Sequence, residues 1–530
     1  MMLGSLRRLY TYLSRRRRMQ LIGLIMLMVV GAVAEMATIG AVIPFLAMLM
    51  EPDWVSRFPV VERFLGPRAS DSRTVLVWVG GCFALVAVLS AVIRICLFRA
   101  SYRFTYGLGA DIGGTLFWRT LHRPYVWHSS RNSSDVISAI EKVNSVTRGV
   151  IVQLVQGSVA LLIGSAIMAT LLLIDAVTAL AAGSAFGMMY LATSLLGRKK
   201  LHQNGEDIAS SRTDRIRVVQ EGLGGIRDVL LDRLQSTYHA RFVKYDAKFR
   251  NAQASSSFIG AYPRVVMEAA GIILMLALAY YMSGRPGGVM AALPILGALA
   301  LGAQKLLPQM QLVYLAWTSL QSQRGELDDV LEMLDEPTIK PSGSDQVAAT
   351  SSAVGDSSIP VVRLRDVGFC YSPDGVPALT GIDLDVARGT RFGIVGATGC
   401  GKSTLLDVIM GLLPVSNGAV EIDGAALTPE TTEAWQSRIA HVPQSIYLAD
   451  VSIAENIALG TPVGEIDEQR IQRAVEQAQL ANFLAAQADG IWTTVGERGI
   501  RLSGGQRQRI GLARALYKNT DVLVLDEATR

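Results

Sequence analysis

Residues Gly396, Ala397, Thr398, Gly399, Cys400, Gly401, Lys402, Ser403 and Thr404 form a glycine-rich run that ends in a lysine and two hydroxyls. Glycines at this spacing let backbone N–H groups close around phosphate oxygens, and a helix starting at the lysine adds partial positive charge. Lys402 then reaches the outer phosphates, and Ser403 offers its hydroxyl to Mg²⁺. Further along, an apolar run from Asp521 ends in two acids, Asp526 and Glu527. Asp526 is expected to hold Mg²⁺ through water, and Glu527 to polarise an attacking water as general base. Between them lie Leu502, Ser503, Gly504, Gly505 and Gln506, a second glycine turn ahead of a helical stretch from Arg507 to Leu516. Taken alone, that turn is an ordinary helix cap; in series with the other two clusters it reads as more than a cap, since a glycine turn at a helix N-terminus offers N–H donors to an anion. The chemistry these residue types support is transfer of a nucleotide's terminal phosphoryl group to water.

Such residues work only if the backbone presents them. The spacing predicts a strand over Arg391 to Val395, the glycine loop, and then a helix from Leu405 to Leu413, which is the strand–loop–helix setting of a phosphate loop. The run from Asp521 reads as a strand buried on both faces, with its carboxylates at the end where open α/β sheets place ligands. From Val361 onward short β-rich runs alternate with helices, so residues 359–530 read as an α/β P-loop NTPase domain.

The rest of the chain is of another kind. Of 530 residues, 50% are hydrophobic and only 18% charged, a balance that departs from soluble averages and points to a membrane. Apolar segments at 20–50, 74–98, 150–174, 176–197, 263–283 and 288–318 are each long enough to cross about 30 Å of hydrocarbon. Six spanning helices are therefore expected within residues 1–322. Arg7, Arg8 and Arg15 to Arg18 precede the first, Arg99 and Arg103 follow the second, and Arg198, Lys199 and Lys200 follow the fourth. By the positive-inside rule both termini and residues 99–149 and 198–256 are cytoplasmic, and the hairpins near Asp175 and at Gly284 to Gly288 lie outside. The net charge of +5 serves this topology rather than nucleic acid. Four cysteines, Cys82, Cys96, Cys370 and Cys400, show no metal or disulfide spacing.

The two cytoplasmic stretches carry helical apolar spacing and read as membrane helices prolonged into the cytosol. Each has a break, at His122, Arg123 and Pro124 and at Gly222 to Gly225, where a short helix can turn. Such a helix is either a surface turn or a docking knob. Residues 323–358 open with a charged helical stretch and end rich in serine, glycine and proline, as a tether does.

With these motifs in order, the chain resembles the ABC transporters, of the exporter type with a fused membrane domain and cassette. The Leu502 to Gln506 run is that family's signature, which covers the γ-phosphate of ATP bound to a second cassette. Tyr371 resembles the aromatic that stacks on adenine. Gln444 resembles the glutamine that senses Mg²⁺ and the membrane domain and assists catalysis, and Thr494 to Gly499 resembles the exporters' X-loop. The resemblance implies ATP and Mg²⁺ as cofactors, a homodimer or related half-transporter as partner, membrane lipids around it, and the plasma or inner membrane as location. It also implies that residues 123–131 and 225–234 are the docking knobs. The family's D-loop aspartate and switch histidine find no match after Glu527, so the sequence reads as C-terminally truncated and is expected to hydrolyse ATP poorly as it stands.

Ionisable residues inside the spans are the clue to cargo. Arg264 and Glu268, four apart, are expected to pair on one helix face, and Arg94 to snorkel. Glu35 and Lys305 sit deeper and either contact an anionic head group in a substrate cavity or pair with each other. Glu35 to Phe45, Pro263 to Glu268, and Phe58, Val60, Val61, Phe64 and Leu65 as an external amphipathic helix resemble the lipid-linked oligosaccharide flippase branch. That resemblance implies an amphipathic cargo such as a lipid-linked glycan. The alternatives are a general lipid, multidrug or peptide exporter, or an inactive binding chain.

Overall fold

The computed structural model describes residues 2–50, 72–174, 176–283, 288–338, 360–372 and 375–527. The expected external helix around Phe58 to Leu65, the hairpins at Asp175 and Gly284 to Gly287, and most of the tether lie outside the described residues. The chain divides into two compact units, residues 1–121 with 131–337, and residues 122–130 with 338–530.

The first unit is all helix. After α1 (Met2–Thr11) come α2 (Arg15–Met50), α3 (Ser72–Leu121), α5 (Ser133–Val146) running through a π turn at Thr147–Ile151 into α6 (Val152–Ile174), α7 (Ala176–Gly224), α9 (Gln235–Ser283), α10 (Gly288–Ser322) and α11 (Arg324–Asp335). Two short helices stand at the two predicted breaks, α8 (Ile226–Leu231) in this unit and α4 (Tyr125–Ser130) in the second. The six apolar segments thus fall on six long helices. Among the described residues, four stretches are long and apolar enough to cross a membrane, beginning at Arg15, Val77, Ser133 and Ala179. In α2, Leu24, Met28, Ala32, Glu35, Ile39 and Val42 recur at three- and four-residue intervals and are buried. That face packs on α3, α6 and α10, while Ile22, Met26, Val29 and Val33 remain exposed on the other. At the π turn Gly109 lets two helices meet: a Cβ there would stand 2.3 Å from the Thr147 hydroxyl.

The charged stretch after the sixth span is α11. Leu327, Val330 and Leu331 are fully buried, and so is Glu326, 3.1 Å from the Arg212 guanidinium. Burial pushes the Glu326 carboxyl above the usual range against the opposing pull of Arg212.

The second unit carries a four-stranded antiparallel sheet of order β2-β1-β3-β4 and a parallel pair β5-β6, where β1 is Val362–Phe369, β2 Leu379–Val386, β3 Asn417–Ile422, β4 Ala425–Ala426, β5 Ile439–Val442 and β6 Val522–Leu525. One core joins Val362, Leu364, Phe369, Val408, Leu413 and Trp435 beneath the helix α12 (Lys402–Ile409). Val126 of the short helix α4 packs against that core. A second core joins Leu448, Ile453 and Val475 to Ile510 and Ala513 of a later helix, Gly504–Lys518.

Three local expectations need correction. No strand forms at Arg391 to Val395; no described strand pairs with this segment, and Val395 stays 96% exposed. β-prone residues become a strand only when a ladder is supplied. The helix after the glycine loop stops at Ile409, because Gly411 takes a positive φ of 67°. β6 is not buried on both faces: Val524 is buried, but Leu523 and Leu525 are each 45% exposed, since β6 has β5 on one edge only.

Candidate functional site

The glycine loop is fully on the surface, from Gly396 through Cys400. Gly399 and Gly401 take φ of 83° and 93°, the left-handed region that other residues enter at a cost. Gly401 is the N-cap of α12, and a Cβ on it would come within 2.8 Å of the Ala378 carbonyl oxygen. Lys402 curls back over the loop, where its Nζ donates to the Gly396 and Ala397 carbonyl oxygens, each at 2.9 Å. Both acceptors are neutral, so the ammonium's charge remains available to a phosphate. Ser403 is exposed at the start of α12. Thr404 is buried and shares a hydrogen bond of 3.2 Å with the Tyr371 hydroxyl. Tyr371 is half-exposed and meets Phe369 edge-on, 4.9 Å between centroids. The aromatic and the phosphate loop are thereby fastened together.

The two acids stand where β6 ends. The Asp526 N–H donates to the Val442 carbonyl at 3.0 Å, which fixes the acid to the end of β5. Glu527 follows in the left-handed region at φ 49°, a strained conformation for a side chain of this size. The Gln444 amide donates to its carboxylate at 2.7 Å. Asp407, on the buried side of α12, was not singled out by any motif. Burial, and then the charge of Asp526, push its carboxyl above the usual range, which places the two acids in one electrostatic neighbourhood. Burial likewise pushes His441 below the usual imidazole range.

The signature turn is built differently. Ser503 and Gln506 form a reciprocal capping box: the Gln506 N–H donates to the Ser503 hydroxyl at 3.3 Å, and the Ser503 N–H to the Gln506 side-chain oxygen at 2.8 Å. Leu502 packs on the second core, while a Cβ on Gly504 would meet nothing. Gly504 therefore faces open space, and a Cβ on Gly505 would meet only the end of the Arg509 side chain, at 4.0 Å. Among the described residues no hydrogen bond or ion pair joins residues 502–506 to residues 396–404, and the two glycine turns rest on different cores.

Two polar residues that sequence reasoning passed over link these parts. Asn456 is fully buried and satisfies the Ala449 N–H and the Ala449 and Ser452 carbonyls. Arg514, on the signature helix, donates to the Asn456 and Tyr447 carbonyls at 2.8 and 3.1 Å. The signature helix thus grips the segment just after Gln444. The X-loop residue Thr494 bridges to Ser452 of that segment.

In the helical unit, Glu35 has a side chain only 4% exposed and accepts from Lys305 Nζ at 2.5 Å and from Arg94 Nη1 at 3.2 Å. Of the two readings open for Glu35 and Lys305, the structure pairs them. Arg94, expected to snorkel, is tied to that same buried carboxylate, with its side chain 42% exposed. Arg264 and Glu268 pair at 2.8 Å on the helix surface. Two cavities in this unit share a wall at Gln309, and the smaller reaches Arg94. One, of about 670 Å³, is lined by apolar residues such as Leu161, Met168 and Val313; the other, of about 250 Å³, holds Arg94, Tyr102 and Gln156; both include Gln309.

Residues 379–530 match the family model described as ABC transporter. The chain is 27% identical over 99% of its length to an ATP-dependent lipid A-core flippase of Burkholderia orbicola, covering 84% of that protein. It is 29% identical over 78% of its length to the protein of the same name from Ralstonia nicotianae, covering 69% of it. In fold it is similar to a solved bacterial Atm1-family ABC exporter with ATP bound, with a TM-score of 0.71 at 22% identity over 97% of this chain and 86% of that one. A phosphate loop, two acids and a capped glycine turn in one cassette, preceded in the chain by six long apolar helices, agree with these likenesses: residues 379–530 are an ABC transporter cassette, and the comparisons together support an exporter-type half-transporter that couples ATP hydrolysis to transport.

Proposed function

We propose that this transporter flips an amphipathic lipid with a bulky anionic head group, a lipid-linked glycan or related glycolipid, across the inner membrane. The observation that carries this reading is the meeting, at Gln309, of an apolar cavity of about 670 Å³ with one of about 250 Å³ that bears Arg94, Tyr102 and Gln156 on its wall. A cargo with chains at one end and a charged, hydrogen-bonding head at the other matches that pairing. Glu35 cancels one of the two charges on Arg94 and Lys305, so one positive charge is left for a phosphate. The lipid A-core flippases to which the chain is similar act on a cargo of this general kind by name.

ATP is held by the Gly396 to Thr404 loop, with Lys402 exchanging its two carbonyl partners for phosphate oxygens and Tyr371 lying against the base. The oxygen donors Ser403 and Asp526 suit Mg²⁺, a hard cation that keeps water and phosphate among its ligands. That ion would neutralise charge on the transferring phosphoryl group. Glu527 activates the water, and Gln444 holds that carboxylate in place until nucleotide arrives. Because the signature turn and the phosphate loop rest on separate cores, a second cassette supplies the turn that covers each ATP, in a homodimer or with a related half-transporter. Closure of the two cassettes is a shift between populations driven by their higher affinity for ATP when closed. The short helices α4 and α8 pass it to the spans, with both termini cytoplasmic.

The test is reconstitution into liposomes holding a fluorescent polyprenyl-pyrophosphate glycan or glycolipid. ATP is expected to move the probe to the leaflet remote from the cassettes, and Glu527→Gln to stop it. Movement of small amphiphiles without any glycolipid would overturn the cargo reading.

A further inference from the structure

The start of α2 carries a feature that transport does not use. Arg15, Arg16, Arg17 and Arg18 open the helix, yet only Arg17 has an acidic partner among the described residues. Its guanidinium binds the Asp111 carboxylate through Nε at 2.7 Å and Nη2 at 3.1 Å. It also lies on the bare backbone of Gly107, where a Cβ would stand 2.6 Å from Arg17 Nη1. This fit locks the rotation of α2 about its axis, and that lock decides where the neighbouring arginines point.

Counting along the helix, Arg15 and Arg18 precede Ile22, Met26, Val29 and Val33 at spacings of three and four. They therefore stand on the same face. That face is the apolar one left uncovered: Met26 is 66% exposed and Val33 58%. An uncovered apolar row on a spanning helix lies against acyl chains, and here it runs directly into two exposed cations that have no acidic partner among the described residues. Arg18 is further held over the ring of Tyr10, 5.1 Å from its centroid, and that ring is half-exposed. A guanidinium on an aromatic at the end of an apolar row is the arrangement found at a membrane interface.

We infer that this face of α2 is a docking surface for an anionic phospholipid, whose phosphate sits between Arg15 and Arg18 while its chains lie along Ile22, Met26 and Val29. The occupant is a boundary lipid and not the transported cargo. Charge complementarity selects an anionic head group over a zwitterionic one, and each juxtamembrane arginine is expected to favour it roughly fivefold.

The full chain in vesicles of mixed phosphatidylcholine and phosphatidylglycerol tests this, with the lipid retained on mild extraction measured by mass spectrometry. The wild type is expected to retain phosphatidylglycerol several-fold above its bulk fraction, and to lose that enrichment when salt is raised to about 1 M, where the screening length falls to about 3 Å. R15Q/R18Q should lose the enrichment and R15K/R18K should keep it; Arg7, Arg8, Arg16 and Arg17 remain to hold the topology. Arg94→Gln, in the cavity, should leave it unchanged. The inference is overturned if the wild type shows no enrichment, if R15Q/R18Q retains it, or if Arg94→Gln removes it, which would assign the lipid to the transport cavity.

Discussion

Two lysines in this chain are held in opposite ways. Lys402 is bonded to two neutral carbonyls within six residues of itself, on an exposed loop. Lys305 is bonded to a buried carboxylate 270 residues away. The first keeps its charge on offer, and any phosphate that arrives displaces only weak partners. The second has most of its charge cancelled and joins α10 to α2. A cation left on offer and a bracing cation are thus told apart here by the charge of what holds them.

Exchanging the two roles by mutation is the sharpest way to break that contrast. Lys402→Ala should lower ATP turnover by about 10²–10³-fold and leave the thermal unfolding temperature unchanged, because only two carbonyls on an exposed loop lose a partner. A substantial loss of stability would show that the loop's own bonds matter as much as its charge. Glu35→Ala leaves Lys305 and Arg94 facing each other without a counter-charge. It should destabilise the helical unit by about 3–5 kcal/mol, read as unfolding in detergent, and adding Lys305→Met should recover much of that. If the single and double variants unfold together, the cluster is no brace.

Smaller effects sharpen the comparison within the cassette. Ser503→Ala removes the cap of the signature helix and should cost about 1 kcal/mol, seen as faster amide exchange at Gly504 to Gln506, with the phosphate loop unaffected because it rests on the other core. Asp407→Asn tests the acid behind the loop. Its carboxyl is raised in the folded state, so its contribution is most favourable below the ordinary value of 3.8 and is lost as pH rises through the folded value. The variant should therefore flatten cassette stability over the pH range that opens at about that ordinary value and extends upward, and a titration slope equal to wild type would refute the placement beside Asp526.

The same contrast explains what the sequence made legible. Phosphate loop, signature turn and terminal acids are contiguous runs whose chemistry follows from residue type and spacing, and each stands in the structure as a local unit. The long helices were legible from apolar length, and the breaks at Pro124 and Gly222 to Gly225 from backbone chemistry. The Glu35 cluster was half legible: three ionisable groups in apolar surroundings must find partners, but which ones depends on how α2, α3 and α10 pack. Asn456 and Arg514 left no signal, since an asparagine and an arginine amid polar neighbours look like surface until the fold buries their bonds. The strand expected at Arg391 to Val395 erred for a related reason, as β-propensity is local and pairing is not.

The short helix α4 changes what counts as a part of this molecule. His122 to Ser130 belong to the body of the cassette although helices of the other unit flank them on both sides in the chain, and Val126 covers a portion of the cassette's first core. A cassette excised at the tether would therefore lack a piece of its own wall. The purified fragment would show an apolar scar where Val126 had been, with a tendency to self-associate that the parent chain does not share. Modularity along the chain and modularity in space are here different things, and a gene fusion that swapped cassettes between transporters would have to carry two separate segments to succeed.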